Sequence, residues 1–250
     1  MAKFKEPQTS STAFTSTIIR HRGSYLAIKP TRPELSAKGK VVLITGGGQG
    51  IGLSVALGFA NANASHLILL GRTLSTLTTG QTKIAELYPM IKVHLFTADV
   101  TDPSAVGSIF GKVHEEIGPI DICISNASYL SQLCPIDAAS LDDWFRSFEV
   151  MVKGALIIAQ EFLKHKSTND AAFINISSSA VQMGVVPGFS AYASAKLAIG
   201  KAMEYLQSEN PDLRVVSVHP GVIKSQMSLS TEKSYGIEFD FDECELMPFV

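Results

Sequence analysis

The sequence predicts a single α/β domain on a doubly wound parallel sheet, and three observations carry that prediction. Short apolar runs alternate with amphipathic stretches six times between Lys40 and Val218, the pattern of strand–helix units laid onto one sheet. The runs are continuous rather than alternating, as in Val41-Val42-Leu43-Ile44, which marks strands buried on both faces. Of the 250 residues 46% are hydrophobic and 18% charged, below the roughly 25% charged of ordinary domains, which fits a three-layer architecture with both sheet faces covered. A chain of this length can bury a sizeable core without metals or disulfides.

Taken in order, residues 1–38 carry Pro30 and Pro33, show no periodicity and are read as a flexible arm, so the folded domain is expected over 39–250. The first strand is expected at Val41–Ile44, followed by glycines and a helix over Ile51–Ala60. A second strand at Leu67–Leu70 precedes a helix over Ser75–Leu87. A third at Val93–Phe96 precedes a helix over Pro103–Ile117. Ile120–Ile124 reads as the fourth strand, and Leu141–Lys164 as one long helix. Ala172–Ile176, a helix over Ala191–Gln207 and a sixth strand at Arg214–Val218 complete the pattern. Residues 222–250 are polar and irregular, so no element is expected there.

Composition excludes several classes of function. The net charge is -2, from 21 basic and 23 acidic residues, so no nucleic-acid partner is expected. Cys123, Cys134 and Cys244 form no C-x-x-C pair, which argues against a disulfide framework or a zinc site and for a reducing, cytoplasmic compartment. No apolar run approaches the roughly 18 residues of a membrane span. No H-E-x-x-H and no G-x-S-x-G occurs, so neither a zinc hydrolase nor an α/β-hydrolase is expected.

The first chemical signal is Thr45-Gly46-Gly47-Gly48-Gln49-Gly50-Ile51-Gly52, between the first strand and the first helix. Glycines there let backbone approach a ligand, and the helix start aims N–H groups and a positive dipole end at phosphates. With a strand before and a helix after, this is a dinucleotide turn of Rossmann type. The second strand ends Leu69-Leu70-Gly71-Arg72 without the acid that holds an NAD ribose. Arg72 offers a planar fork for a 2′-phosphate, so NADP is the expected cofactor; the structural alternative is a solvated loop residue.

The second signal is Tyr192-x3-Lys196. Positions i and i+4 share a helix face, so an ammonium stands beside a phenol. A neighbouring cation favours the phenolate, and the pair can exchange a proton with a carbonyl or alcohol oxygen.

Six motifs in order make the chain resemble the short-chain dehydrogenase/reductase family over about Gly39 to Ser225, most closely its filamentous-fungal members. They are the glycine turn; Asp99-Val100; Ser125-Asn126-Ala127-Ser128; Ile176-Ser177-Ser178; Tyr192-x3-Lys196; and Pro220-Gly221-Val222-Ile223-Lys224-Ser225. The resemblance implies an NADP(H)-dependent oxidoreductase acting on a small carbonyl or alcohol, with a place in fungal secondary metabolism. It implies Tyr192 as proton donor or acceptor, Lys196 as the group that lowers its pKa and holds the nicotinamide ribose, and a serine on the substrate oxygen. The Ile-Ser-Ser motif picks Ser178; the family's usual spacing to the tyrosine picks Ser179. Cofactor contacts are expected from Gly46, Gly50, Ile51, Gly52, Arg72, Asp99, Asn126, Lys153, Tyr192, Lys196, Ile223 and Ser225, and no metal. A homodimer through the helices at 141–164 and 191–207 is also implied.

Two departures stand out. Val150-Met151-Val152-Lys153-Gly154 places Met151 where the family carries a catalytic asparagine. Family members also continue by about 30 residues through a helix and a seventh strand, so strand six is expected to be an exposed edge. These departures leave a nucleotide-binding relative with impaired catalysis as the alternative.

Overall fold

Six strands pair in parallel in the order β3-β2-β1-β4-β5-β6. They are β1 (Val41–Thr45), β2 (His66–Gly71), β3 (Lys92–Thr97), β4 (Ile122–Ser125), β5 (Ala172–Ile176) and β6 (Arg214–Val218). The helices are α1 (Gly50–Asn61), α2 (Leu74–Leu87), α3 (Pro103–Glu116), α4 (Leu141–Phe148), α5 (Ala155–His165), α6 (Ser190–Glu209) and α7 (Gln226–Tyr235). The computed structural model describes residues 25–181, 185–221, 223–236 and 238.

The continuous apolar strands serve two layers at once. Val42, Ile44, Leu67 and Leu69 pack with Val55 and Ala56 of α1 and with Leu77 and Ile84 of α2. Their neighbours Leu43, Ile68 and Leu70 face the other way, onto Phe110 of α3, Phe162 of α5 and Ile199 of α6. All seven strand side chains are fully buried. Each such side chain contributes about 1.5–3 kcal/mol on leaving water, so a sheet this apolar cannot leave either face bare. Among the described residues no helix is long and apolar enough to cross a membrane.

Local chemistry sets the helix starts. Pro103 opens α3, and the Asp102 carboxylate accepts from the N–H groups of Ser104 and Ala105. Ser140 caps α4 through the N–H of Asp143.

Some details differ from the sequence reading. The long helix over 141–164 is continuous, but Glu149–Gly154 winds as a π-helix between α4 and α5. At its end a Cβ on Gly154 would lie 2.7 Å from Val100 Cγ2, so the helix presses onto the segment after β3. β4 begins at Ile122, and Ile120 instead forms an isolated bridge with Lys166. Helix α7 lies where no element was expected. Ser225 and Ser228 form a capping box at its start, and Gly236 closes it in the left-handed region at φ 64. Of the arm, residues 1–24 lie outside the described residues. Its end forms two short 3-10 turns, Leu26–Ile28 and Pro33–Leu35, and the Ala37 N–H reaches the Ala62 carbonyl at 2.7 Å.

Candidate active site

The sheet order reverses between β1 and β4, which lie side by side although β2 and β3 come between them in the chain. In open α/β sheets ligands bind in the crevice beyond the strand ends at such a point. A cleft of about 1970 Å³ opens there. That exceeds the roughly 300–1,000 Å³ of an ordinary small-molecule pocket, leaving room for a dinucleotide and a second molecule together.

The cleft floor is stitched from the ends of β1 and β4. Thr45 Oγ1 accepts from the N–H groups of Asn126 and Ala127, both at 2.9 Å. Asn126 Nδ2 in turn donates to the Thr45 carbonyl at 2.9 Å. Gly46 and Gly50 hold φ 64 and 53, a region costly for any side chain. A Cβ on Gly52 would collide with the Gly46 carbonyl oxygen and lie 2.8 Å from Asn126 Nδ2. No side chain caps the start of α1, so its first N–H groups face the turn without a side-chain acceptor, as a phosphate site requires. These residues fit a dinucleotide.

Arg72 stands at the rim with its side chain 62% exposed, its guanidinium 4.0 Å from Asp99. Arg146 from α4 approaches the same carboxylate at 3.0 Å, while Thr101 donates to its other oxygen from both N–H and hydroxyl. Burial pushes the Asp99 carboxyl up, but the Thr101 hydrogen bonds and the two guanidinium groups outweigh it and hold the group below its usual value.

Ser178, just past β5, stands beside Tyr192 on α6, and its side chain acts to lower the pKa of that phenol. Ser179 lines the same cleft, while the side chain that acts on the phenol is that of Ser178. Lys196, one turn along α6, is 4% exposed, and its Nζ donates to the Ile176 carbonyl at 2.5 Å. Burial brings its pKa down to about 8. The ammonium sits 5.7 Å from the Tyr192 ring centroid. The phenol nonetheless stands above its usual pKa, because loss of water outweighs the effect of Ser178. That is opposite to the direction expected from the neighbouring cation alone. In this state Tyr192 is protonated at neutral pH and able to give a proton.

Of the residues expected to meet at the site, Gly46, Gly50, Ile51, Arg72, Asp99, Asn126, Ser178, Tyr192, Lys196, Ile223 and Ser225 all line the cleft. Gly52 lies behind the turn, where its role is close packing. Lys153 is exposed on the π segment and is not among the cleft-lining residues. Met151 is 2% exposed and accepts a hydrogen bond from Ser128 Oγ at 3.0 Å. Among the described residues no group of three or more His, Cys, Asp or Glu could hold a metal ion.

Several contributors were not visible in the sequence. Arg146 and Asp99 are far apart in the chain, and only the packing of α4 joins them. Asp143, readable as a solvated or capping carboxylate, accepts from the Tyr129 hydroxyl at 2.6 Å and the Gln132 N–H at 2.7 Å, anchoring the loop after β4. Phe189 stacks on Tyr235 of α7 at 5.8 Å, and the Tyr235 hydroxyl donates to the Pro187 carbonyl, giving the cleft an aromatic wall.

The family model for short chain dehydrogenase matches residues 40–236. A short chain dehydrogenase/reductase of Claviceps purpurea is 30% identical over 240 residues, covering 93% of this chain and 80% of that protein. The short chain dehydrogenase pigC of Monascus ruber is 31% identical over 83% of this chain and 69% of its own. Among solved structures, the short chain dehydrogenase of Shigella flexneri superposes with a TM-score of 0.73 at 25% identity, over 82% of each chain. An archaeal alcohol dehydrogenase from Thermococcus sibiricus, complexed with 5-hydroxy-NADP, superposes at 0.68 with 26% identity, over 74% of this chain and 77% of that one.

Proposed function

The chain belongs to the short chain dehydrogenase family, and from that premise we propose that it interconverts a carbonyl and an alcohol with NADP(H), residues 39–250 forming the catalytic domain. The observation that carries this reading is buried Lys196 5.7 Å from the Tyr192 ring centroid, with Ser178 in the same cleft as the glycine turn. Bound nicotinamide would supply the hydride, or accept it in the reverse direction. In the reducing direction Ser178 donates to the substrate oxygen and orients it. Tyr192 gives its proton to that oxygen as the hydride reaches carbon, and the phenolate left behind is stabilised by the Lys196 ammonium. The turn at Gly46, Gly50 and Ile51 would hold the pyrophosphate, Asp99 and Asn126 the adenosine side, and Ile223 and Ser225 the nicotinamide side. NADP rather than NAD rests on Arg72, on the absence of an acid at the end of β2, and on the archaeal relative complexed with 5-hydroxy-NADP.

The reading extends to a cytoplasmic location and to fungal secondary metabolism, the latter on the resemblance to filamentous-fungal members. It also includes a homodimer, supported by Leu156 of α5 and by Leu197 and Tyr205 of α6, which are 40%, 59% and 61% exposed. A second reading, nucleotide binding with impaired turnover, is favoured by the Met151 thioether in place of a side-chain amide.

NADPH oxidation across a panel of carbonyl compounds, with NADPH binding followed by fluorescence, separates the two. Under the first reading Tyr192→Phe loses at least ~100-fold in kcat and keeps NADPH affinity, since only a hydroxyl is removed. Binding without turnover in the parent chain, restored by Met151→Asn, favours the second. Arg72→Ala is expected to weaken NADP at least ~10-fold, the worth of a charged hydrogen bond, and to leave NAD unchanged. Equal losses for both nucleotides would remove Arg72 from the 2′-phosphate.

A further inference from the structure

We propose that His219 is a positioning residue for proton transfer: its imidazole holds the turn that sets Ser178 against Tyr192. The proposal rests on the reading of Ser178 and Tyr192 as the proton-transfer pair.

The ladder between β5 and β6 continues past the strand ends with the Ser177 N–H donating to the Val218 carbonyl at 2.7 Å. Beyond it, Pro220 and Gly221 turn the chain away, with Gly221 at φ 86. No β6 carbonyl then remains opposite Ser179. The His219 side chain replaces it, with Nδ1 accepting from the Ser179 N–H at 3.1 Å. The next N–H, of Ala180, donates to Ser178 Oγ at 3.2 Å. The Val181 N–H closes the turn on the Ser178 carbonyl at 3.3 Å. Ser178 Oγ is therefore held by the Ala180 N–H while it acts on the Tyr192 phenol. Loosening the Ser179 anchor frees the turn and the direction in which the Ser178 hydroxyl points.

The role demands a neutral ring, because an imidazolium has no lone pair left at Nδ1. Burial keeps the pKa of His219 below the usual histidine value, in the direction the role requires. His219 also lines the same cleft as Ser178 and Tyr192. A small displacement of a reacting group costs rate rather than ligand affinity. The signature is a fall in kcat with little change in cofactor binding.

The test compares His219→Leu with His219→Asn, whose Oδ1 stands as many bonds from Cβ as Nδ1 and can accept the Ser179 N–H. With wild-type turnover as reference and Tyr192→Phe as control, His219→Leu is expected to lose ~10-fold or more in kcat and keep its NADPH Kd within ~2-fold. His219→Asn is expected to recover most of that loss. If the leucine variant does not fold, His219→Ala takes its place. Wild-type kcat in the leucine or alanine variant, an asparagine variant that falls equally far, or a loss confined to NADPH Kd each overturns the proposal. If Tyr192→Phe itself keeps turnover, the underlying proton-transfer reading fails instead, and the two failures are distinct.

Discussion

Lys196 shows at the scale of one residue how the site is held against stability. Its ammonium is 4% exposed, takes one carbonyl as partner, and has its pKa brought down to about 8 by burial. A base whose folded pKa lies below its unfolded value near 10.4 is bound to fewer protons in the native state, so stability rises with pH between about 8 and 10.4. Below that window the buried charge opposes folding in full. Lys196→Met should therefore raise the stability of the cofactor-free protein at pH 7 on the order of 1–3 kcal/mol, and the advantage should shrink as pH approaches 10. Calorimetric Tm values of both proteins at pH 7 and 10 check this. A methionine variant no more stable at pH 7, or a gap that widens with pH, would contradict the assignment of a destabilising buried charge. The same substitution should abolish turnover, since the phenolate loses its cation.

Among the elements, glycines separate positions that need the residue from positions that only tolerate it. Gly52 in α1 has no room for a Cβ, because the Gly46 carbonyl and Asn126 stand against it. Gly52→Ala should lose about 1–3 kcal/mol, as overpacked sites do, and weaken nucleotide binding by prising α1 from the turn. Gly111 in α3 has nothing within 4 Å of a built Cβ. Gly111→Ala should gain roughly 0.5–1 kcal/mol, the usual helix penalty of glycine recovered. Urea melts of the pair are expected to give opposite signs; a Gly52→Ala variant at least as stable as the parent would refute the close approach. Helix α7 illustrates a different limit. Its caps at Ser225 and Gly236 are readable in the sequence, but its weak amphipathic pattern gave no reason to look for a helix between them.

For the whole molecule, burial is uneven across the sheet. β1 is buried along its length, whereas β6 is largely exposed and Val216 is 40% open to solvent. Among the described residues β6 pairs only with β5, and an α6 side chain serves part of its outer chemistry. Gln207 accepts from the Val215 N–H at 2.8 Å and donates to the Leu213 carbonyl at 2.7 Å. Hydrogen exchange should thus be slowest at Leu43 and Ile44 and at least ~10-fold faster at Val216 and Ser217, where opening disrupts few buried contacts. Equal protection in β1 and β6 would mean that something covers β6.

The alternation of apolar runs and amphipathic stretches by itself determined the doubly wound sheet, because only strands buried on both faces read as unbroken Val, Ile and Leu. The glycine turn and the Tyr192-x3-Lys196 spacing likewise made the proposed nucleotide site and proton-transfer pair legible, since both are local in the chain. What only the tertiary structure decided are the contacts between distant segments. Ser178 acts on the Tyr192 phenol; Arg146 shares Asp99 with Arg72; Lys153 is exposed and not among the residues lining the cleft; His219 reaches the Ser179 backbone. None of these leaves a mark on spacing or periodicity, because each depends on how the ends of different strands are brought together. The direction of the Tyr192 shift belongs with them: a neighbouring cation can be read from the sequence, but the loss of water that raises the phenol's pKa is a property of the packed cleft.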